Sequence, residues 1–396
     1  MQGCCTAIAL AERGAHVTIF DRNSSLLGRT AVANEGKIHL GYMYAGDPSL
    51  ETAKTMIRGA LAFAPFFARY LGTSLSAPAT LPPTAYAVHR DSQQSADQVG
   101  RYLATVHRLA QEAANGCETY FGRNLKGELR AWSRAKREAA FDEGAVVAAY
   151  DTSEVAINPV RLGVALREYI AAHPRIEVRL KHTVTSANHE RERACVDCDS
   201  EDGTSRESFD HVINALWEGR LALNSKMGFG INRPWLHRLK YGVFFHLPDD
   251  AAPPPSVNFV LGPFGEVVNY GDGLIFMTWY PESIHGISRE LVPPHWPNHP
   301  DEPLRSRIIA GTLCGLSEIM PALRRLDATC LPEARVSGGV IVAWGKTDIY
   351  DPNSELHRRC DIGITSTDRF HSVDPGKLTM APYFAEMLAQ RISQAA

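Results

Sequence analysis

The chain has 396 residues, 44% of them hydrophobic and 21% charged, with a formal net charge of −3. A length beyond ~250–300 residues predicts two domains rather than one core. The small negative charge argues against nucleic acid or an anionic membrane as a partner, and no apolar run reaches the ~18 residues of a spanning helix.

In chain order, an Ala-rich apolar helix is predicted from Gly3 to Gly14 and an apolar strand over 16–21. A long helix follows over 52–71, with Phe63, Phe66 and Phe67 on its apolar side and Pro65 as an expected kink. Residues 76–83 hold three prolines and mark a loop. Val99, Leu103, Val106 and Leu109 recur at helical spacing and predict a helix over 93–115. Asn158-Pro159 starts another, running to Ala172. Strands are expected at 176–180, 183–187 and 193–198, and an apolar strand over 209–215 runs into a special turn. Successive antiparallel strands are expected at 239–246, 256–261, 265–270 and 273–280. After a proline-rich loop at 292–297 come a helix over 303–320, strands at 334–344 and 361–365, and a last helix from Gly376 to Ile392. There are no internal repeats. A nucleotide-type α/β start, an antiparallel middle and a return to strand–glycine–helix predict an α/β domain assembled from distant segments, with an α+β domain inserted.

The eight cysteines, Cys4, Cys5, Cys117, Cys195, Cys198, Cys314, Cys330 and Cys360, follow no disulfide framework. With no secretory signal read at the start, a reducing cytoplasmic setting is expected. Cys195-Val196-Asp197-Cys198 falls in a hairpin strand and lacks a second pair, so ordinary reduced thiols are expected and no metal site.

Gly3, the helix after it, Gly14 and the strand ending at Asp21 make most of a Rossmann-like dinucleotide-binding βαβ unit. In such a unit the helix N-terminus receives a pyrophosphate and the acid accepts the ribose hydroxyls. Gly3 reads as the last glycine of G-x-G-x-x-G, with Met1 and Gln2 as the two residues before it. The first strand and first two glycines are therefore expected upstream of Met1. If they are truly absent, a cofactor-free remnant is the alternative. Asp21 would repel a phosphorylated ribose, which favours FAD or NAD over NADP. Arg22 and Thr30 are further candidate cofactor contacts.

Ala33-Asn34-Glu35-Gly36-Lys37-Ile38-His39-Leu40-Gly41-Tyr42, followed by Tyr44 and Pro48-Ser49, resembles flavin oxidoreductases of the D-amino-acid oxidase superfamily. The nearest match is the branch containing L-2-hydroxyglutarate dehydrogenase. The resemblance implies that Asn34, Gly36 and Ile38 line the flavin, that His39 faces the substrate as base or orienting group, and that Tyr42 walls the substrate. A histidine can also be merely hydrogen-bonded in a loop. Asp151–Pro159 resembles the superfamily's crossing from substrate to cofactor domain, and Val184 matches the strand position that holds the adenine. Asn214-Ala215-Leu216-Trp217 stands at an Asn-Ala-Ala-Gly-like turn, which assigns Ala215 and Trp217 to the cofactor although the usual glycine is missing. Gly376-Lys377-Leu378-Thr379 matches the segment whose backbone N–H groups face the flavin's pyrimidine carbonyl, and Gly338 lies in the glycine-containing strand that approaches the ring.

Lys240 and Tyr241 begin the substrate sheet, where a cation could assist catalysis; a salt-bridged strand end is the other reading. Arg220, Tyr280 and Arg335 are further substrate candidates. The implied domains are 1–71, 150–222 and 335–396 for FAD, and 72–149 and 223–334 for substrate. The implied reaction is oxidation of a small carboxylate-bearing 2-hydroxy acid by hydride transfer to flavin N5, with FAD as cofactor and oxygen or a quinone as acceptor. An amine or amino-acid oxidase of the same superfamily is the alternative.

Overall fold

The computed structural model describes residues 1–72, 83–116, 120–190, 192–249, 251–326, 331 and 333–395. Most of the expected 76–83 loop, and Cys117 and Cys330, lie outside these residues. The helix Gln2–Ala11 is mostly apolar, and every residue in it except Gly3 is buried. It is sandwiched between the C-terminal helix Ala381–Ala395 and the strand Val17–Asp21, which runs parallel to Ile176–Leu180. The helix Pro159–Ala172 begins at Asn158, whose side chain accepts the Val160 and Arg161 N–H groups, and it supplies Leu162, Leu166 and Ile170 to the same core. The helix Glu51–Leu71 continues through Pro65 and buries Phe63, Phe66 and Phe67.

A three-stranded meander follows, Thr183–Glu190, Arg193–Ser200 and Gly203–Phe209. Cys195 and Cys198 are buried in its central strand. Next, Val212–Asn214 runs parallel to Phe370–Asp374, which is antiparallel to Gly363–Thr367. Val17–Asp21 and Val212–Asn214 belong to separate sheets, and both strands line one cavity.

The second half is built on a nine-stranded sheet. Its spine is the long strand Trp235–His246. One edge pairs with Arg335–Trp344 over ten residues; the other is shared between Ile284–Ser288 and Leu274–Trp279. The sheet continues through Gly265–Asn269 and Val257–Phe259 to Ala85–His89 and Val146–Asp151. The helix Glu302–Ile319 covers it with Ile308, Ile309, Leu313 and Leu316. Among the described residues no helix is long and apolar enough to cross a membrane.

Several expected boundaries move. The strand expected at 209–215 shortens to Val212–Asn214 because Phe209 closes the meander. The last helix starts later: Leu378–Met380 is a 3-10 turn, and Gly376 sits before it at φ +60°. Ala85–His89, Val146–Asp151 and Phe370–Asp374 were not anticipated as strands. Two of them are short buried runs without alternation, Ala85–His89 wholly and Phe370–Asp374 all but its last residue, which periodicity cannot identify.

Candidate active site

A cavity of about 1410 Å³ runs from the first turn of the N-terminal helix to the face of the nine-stranded sheet. That exceeds the ~300–1,000 Å³ of an ordinary small-ligand site. At one end lie Met1, Gly3, Asp21, Val184 and Ala215. The helix here has no side-chain cap, so its first N–H groups are left for a ligand or solvent. A Cβ on Gly3 would touch only Ala215 Cβ at 3.6 Å, an ordinary contact, so protein packing does not itself demand glycine there. Asp21 uses Oδ1 to accept the backbone and side-chain N–H groups of Asn23. Arg22 and Arg29 both reach the buried Glu218, at 2.7 and 3.0 Å. Trp217 adopts φ +52°, the left-handed conformation for which glycine is the usual residue, and its indole N–H donates to Val340 O at 2.6 Å. The departure from the glycine pattern is thus held by a hydrogen bond across the cavity wall. Thr30 accepts the Val340 N–H, and a Cβ on the adjoining Gly339 would lie 2.7 Å from Thr30 Cα.

The loop 30–36 carries the chain to the other end. Asn34 donates to Thr30 O and Ala31 O and accepts the Gly36 N–H. Gly36 sits at φ +68°, and a Cβ there would lie 1.9 Å from Ile157 O, so this turn admits no side chain. Ile38 then pairs with Val155 inside the core, which brings His39 beside Glu154. The Thr379 hydroxyl accepts the His39 N–H and ties this segment to the C-terminal turn.

Glu154 is fully buried. It receives the Tyr86 hydroxyl at 2.5 Å, the Leu40 N–H at 2.8 Å and His39 Nδ1 at 3.3 Å. Since the carboxylate accepts, the imidazole proton belongs on Nδ1. His39 Nε2 makes no hydrogen bond among the described residues, lies 3.7 Å from Glu35 Oε1, and belongs to a cavity-lining residue. Burial alone would raise the Glu35 carboxyl. The facing His39 imidazole and the Lys377 and Lys240 ammonium groups outweigh that and hold it well below the usual carboxylate range.

Lys37 and Lys240 share Glu266, at 2.6 and 3.3 Å. Burial opposes the Lys240 charge, but the Tyr280 hydroxyl, Glu266 and Glu35 push its pKa upward, so it stays a cation. Lys377 behaves oppositely. Burial, helped by Arg359 and Lys240, lowers it to about 8 against the opposing pull of Glu35.

The expected site residues divide by position. The cavity is lined by Gly3, Asp21, Arg22, Thr30, Asn34, His39, Val184, Ala215, Trp217, Lys240, Tyr241, Tyr280, Gly376, Lys377 and Leu378. Tyr241 points its hydroxyl at Pro297 O, however. Gly36, Ile38 and Thr379 support the wall from behind. Four candidates lie elsewhere. Tyr42 is buried against His107 Nδ1 at 2.7 Å. Arg220 is neutralised by Asp374 at 2.7 Å. Arg335 lies over the Phe244 ring, its centre 4.4 Å away. Gly338 packs under Tyr241 and leaves the lining to its neighbour Gly339. Glu154, Glu35, Glu266, Tyr44 and Arg359 were missed as site residues. Glu35 and Glu154 do lie within the two segments that carried the resemblance, but buried charge cannot be read from sequence.

A family model described as "DAO: FAD dependent oxidoreductase" matches residues 1–391. No curated protein matches the chain. Among solved structures, glycine oxidase from Geobacillus kaustophilus is similar, with TM-score 0.67 and 12% identity over 99% of this chain and 91% of that one. The L-alpha-glycerophosphate oxidase from Mycoplasma pneumoniae, solved with FAD bound, gives TM-score 0.66 and 15% identity over 99% and 91%. L-proline dehydrogenase from P. horikoshii gives 0.63 and 15% over 99% and 90%. These likenesses are of fold, and the family match carries the chemistry. The long cavity, with an uncapped helix N-terminus at one end and a glycine turn at the other, has room and donors for a dinucleotide flavin. The chain belongs to the DAO family of FAD-dependent oxidoreductases.

Proposed function

We propose that this oxidoreductase acts on a small 2-hydroxy acid, with His39 as the base. The observation that carries this is the buried Nε2 of His39, which has no hydrogen-bond partner among the described residues and lies 3.7 Å from Glu35 Oε1, on a ring held by Glu154 at the opposite nitrogen. Gly3, Asp21, Val184 and Ala215 would hold the nucleotide half of FAD, and Gly376, Lys377 and Leu378 the flavin half. When bound, FAD supplies the acceptor for the hydride leaving the substrate carbon.

The chain's own residues handle the proton. His39 Nε2 would accept it from the substrate hydroxyl, and Glu154 would stabilise the positive charge that then forms on the ring. Glu154 is itself held by Tyr86 and the Leu40 N–H, so the imidazole cannot swing away. Lys240, fixed by Glu266, presents a permanent positive charge to the cavity. The nearest-branch resemblance of the His39 segment points to L-2-hydroxyglutarate. A second reading, oxidation of an amino acid, is favoured by the fold likeness to a glycine oxidase and a proline dehydrogenase.

The test is the visible spectrum of the purified chain before and after anaerobic L-2-hydroxyglutarate. A flavin band that bleaches supports the hydroxy-acid reading. One that persists with it but bleaches with glycine or proline favours the second. A colourless protein overturns cofactor binding by this chain as it stands.

A further inference from the structure

A base that takes a proton in every turnover must also lose one, and His39 is badly placed to do so alone. Its ring is 1% exposed and Nε2 is itself a buried atom. The Glu154 side of the ring is closed. Glu154 is 0% exposed, stands behind the cavity lining, and already receives the Tyr86 hydroxyl and the Leu40 N–H. Tyr86 is fully buried as well, so a proton moved that way stays inside the core.

On the open side stands Glu35. It lines the cavity, its side chain is 17% exposed, and its Oε1 lies 3.7 Å from Nε2. That distance is too long for a hydrogen bond, so the contact is easily made and broken. The backbone around it is fixed: the Tyr270 hydroxyl donates to Glu35 O at 3.1 Å, and Asn34 Oδ1 accepts the Gly36 N–H at 2.8 Å. A side chain on a fixed backbone can approach Nε2 and withdraw without disturbing the turn. His39, Lys377 and Lys240 all face this carboxylate and keep it ionised, against burial. Glu266, which repels it, is taken up by Lys37 and Lys240. A carboxylate held so far below neutrality keeps a proton only briefly, which suits a carrier better than a base.

We propose that Glu35 carries the proton away from His39, taking it from Nε2 and releasing it to water in the cavity. This rests on the reading of His39 as the base. A substrate hydroxyl at Nε2 would displace the Glu35 side chain. As the hydride leaves the substrate carbon for the cofactor, the O–H bond breaks and its proton forms an N–H bond at Nε2. Once product has gone, Glu35 returns, the N–H bond breaks, and the proton forms an O–H bond on the carboxylate. Water then takes it, and both Glu35 and His39 are back in their starting states. Glu35 acts through His39, so it is a positioning residue for the proton and not a catalytic one.

The test has two readouts. The first needs neither flavin nor substrate. The chain as purified, labelled with nitrogen-15 at histidine, is examined by NMR at a pH where the ring carries both protons. Exchange of the His39 Nε2 proton with water is measured, its resonance identified by its loss in His39→Asn. In Glu35→Gln this exchange should slow by roughly 10²-fold, the lower end of what a positioned proton acceptor contributes. Glu35→Asp keeps the charge but falls one methylene short, and should lie between. The second readout is turnover. Glu35→Gln should lose roughly tenfold to a hundredfold in the steady state, lose much less in the first anaerobic flavin reduction, and be rescued by added formate acting as an external carrier. Unchanged exchange in Glu35→Gln overturns the proposal, as does unchanged turnover. Equal losses in first reduction and turnover, without rescue by formate, also overturn it by placing Glu35 in substrate binding. If Glu35→Gln does not fold, Glu35→Asp decides, and wild-type exchange in it overturns the proposal. A flavin that L-2-hydroxyglutarate fails to reduce breaks the substrate reading instead, and the exchange measurement still decides the role of Glu35.

Discussion

The two ends of the cavity are built by different means. At the Gly3 end the surface comes largely from short local motifs: a helix start, a strand end and one turn. At the His39 end it comes from side chains contributed by segments near residues 35–44, 154, 240, 266, 359 and 377. The first end combines helix N–H groups and small residues with Asp21, Trp217 and the Arg22/Arg29–Glu218 cluster, which suits a large ligand held by shape and N–H groups. The second concentrates buried charge and unpartnered polar atoms, which suits a small ligand whose reacting atoms must be placed. On the proposed function, the end that takes the cofactor relies on local motifs, whereas the end that takes the substrate gathers charges from distant segments.

The sharpest way to break that comparison is to exchange its consequences. His39→Ala should lower turnover by roughly 10²–10⁴-fold, the usual worth of a positioned base, with the flavin absorbance retained. Asp21→Asn should do the reverse, weakening flavin retention while turnover recovers in excess FAD. If His39→Ala instead loses flavin and Asp21→Asn instead loses turnover, the division between the two ends is wrong.

Stability should divide similarly. Glu266→Gln leaves the buried Lys37 and the partly buried Lys240 without their carboxylate, and should cost about 3–5 kcal/mol in urea unfolding. Gly36→Ala should cost more than the ~1–3 kcal/mol of left-handed strain alone, since the Ile157 carbonyl also stands where the side chain would go. At the nucleotide end Trp217→Phe removes only the indole bond to Val340 O, so a loss near 0.5–1.5 kcal/mol is expected. A larger loss from Trp217→Phe than from Glu266→Gln would reverse the ranking.

The smallest effect at neutral pH is a titration. Burial lowers His357 to about 4 from its ordinary 6.5, so the unfolded chain binds the proton more readily than the folded one. Above pH 6.5 the group is neutral in both states and contributes nothing. As pH falls from 6.5 towards 4, stability is lost. His357→Gln should therefore flatten the pH dependence of the melting temperature across that window and leave the value at pH 7.5 nearly unchanged. An unaltered acid slope would show that His357 is not the group responsible.

Much of the fold was legible because its signals are local. Asn158-Pro159 announced a helix start that the structure caps as expected, and the apolar run after Gly3 became a buried helix. The antiparallel block was visible through alternating runs and turns, but its junction with Ala85–His89 was not. That strand is short and wholly buried, and it pairs in parallel with a segment far along the chain, Val257–Phe259. At the site, the resemblance singled out His39 and Lys377, and both line the cavity. Tyr42 and Tyr44 stand in the same segment. Tyr42 was chosen although only Tyr44 reaches the cavity, because no pattern records which way a loop tyrosine turns.

Sequence alone determined the α/β class, the dinucleotide motif, the flavin family and the segment carrying the candidate base. Each depends on residues close together along the chain, whose order carries the geometry. Only the tertiary structure decided which charges are neutralised and which are left over. It paired Arg220 with Asp374 and Lys240 with Glu266, seated Glu154 behind His39, and left Arg359 with no carboxylate in ion-pair distance among the described residues. Whether a buried charge is balanced depends on groups far apart in the chain and on their removal from water, and neither is written in the local order of the residues.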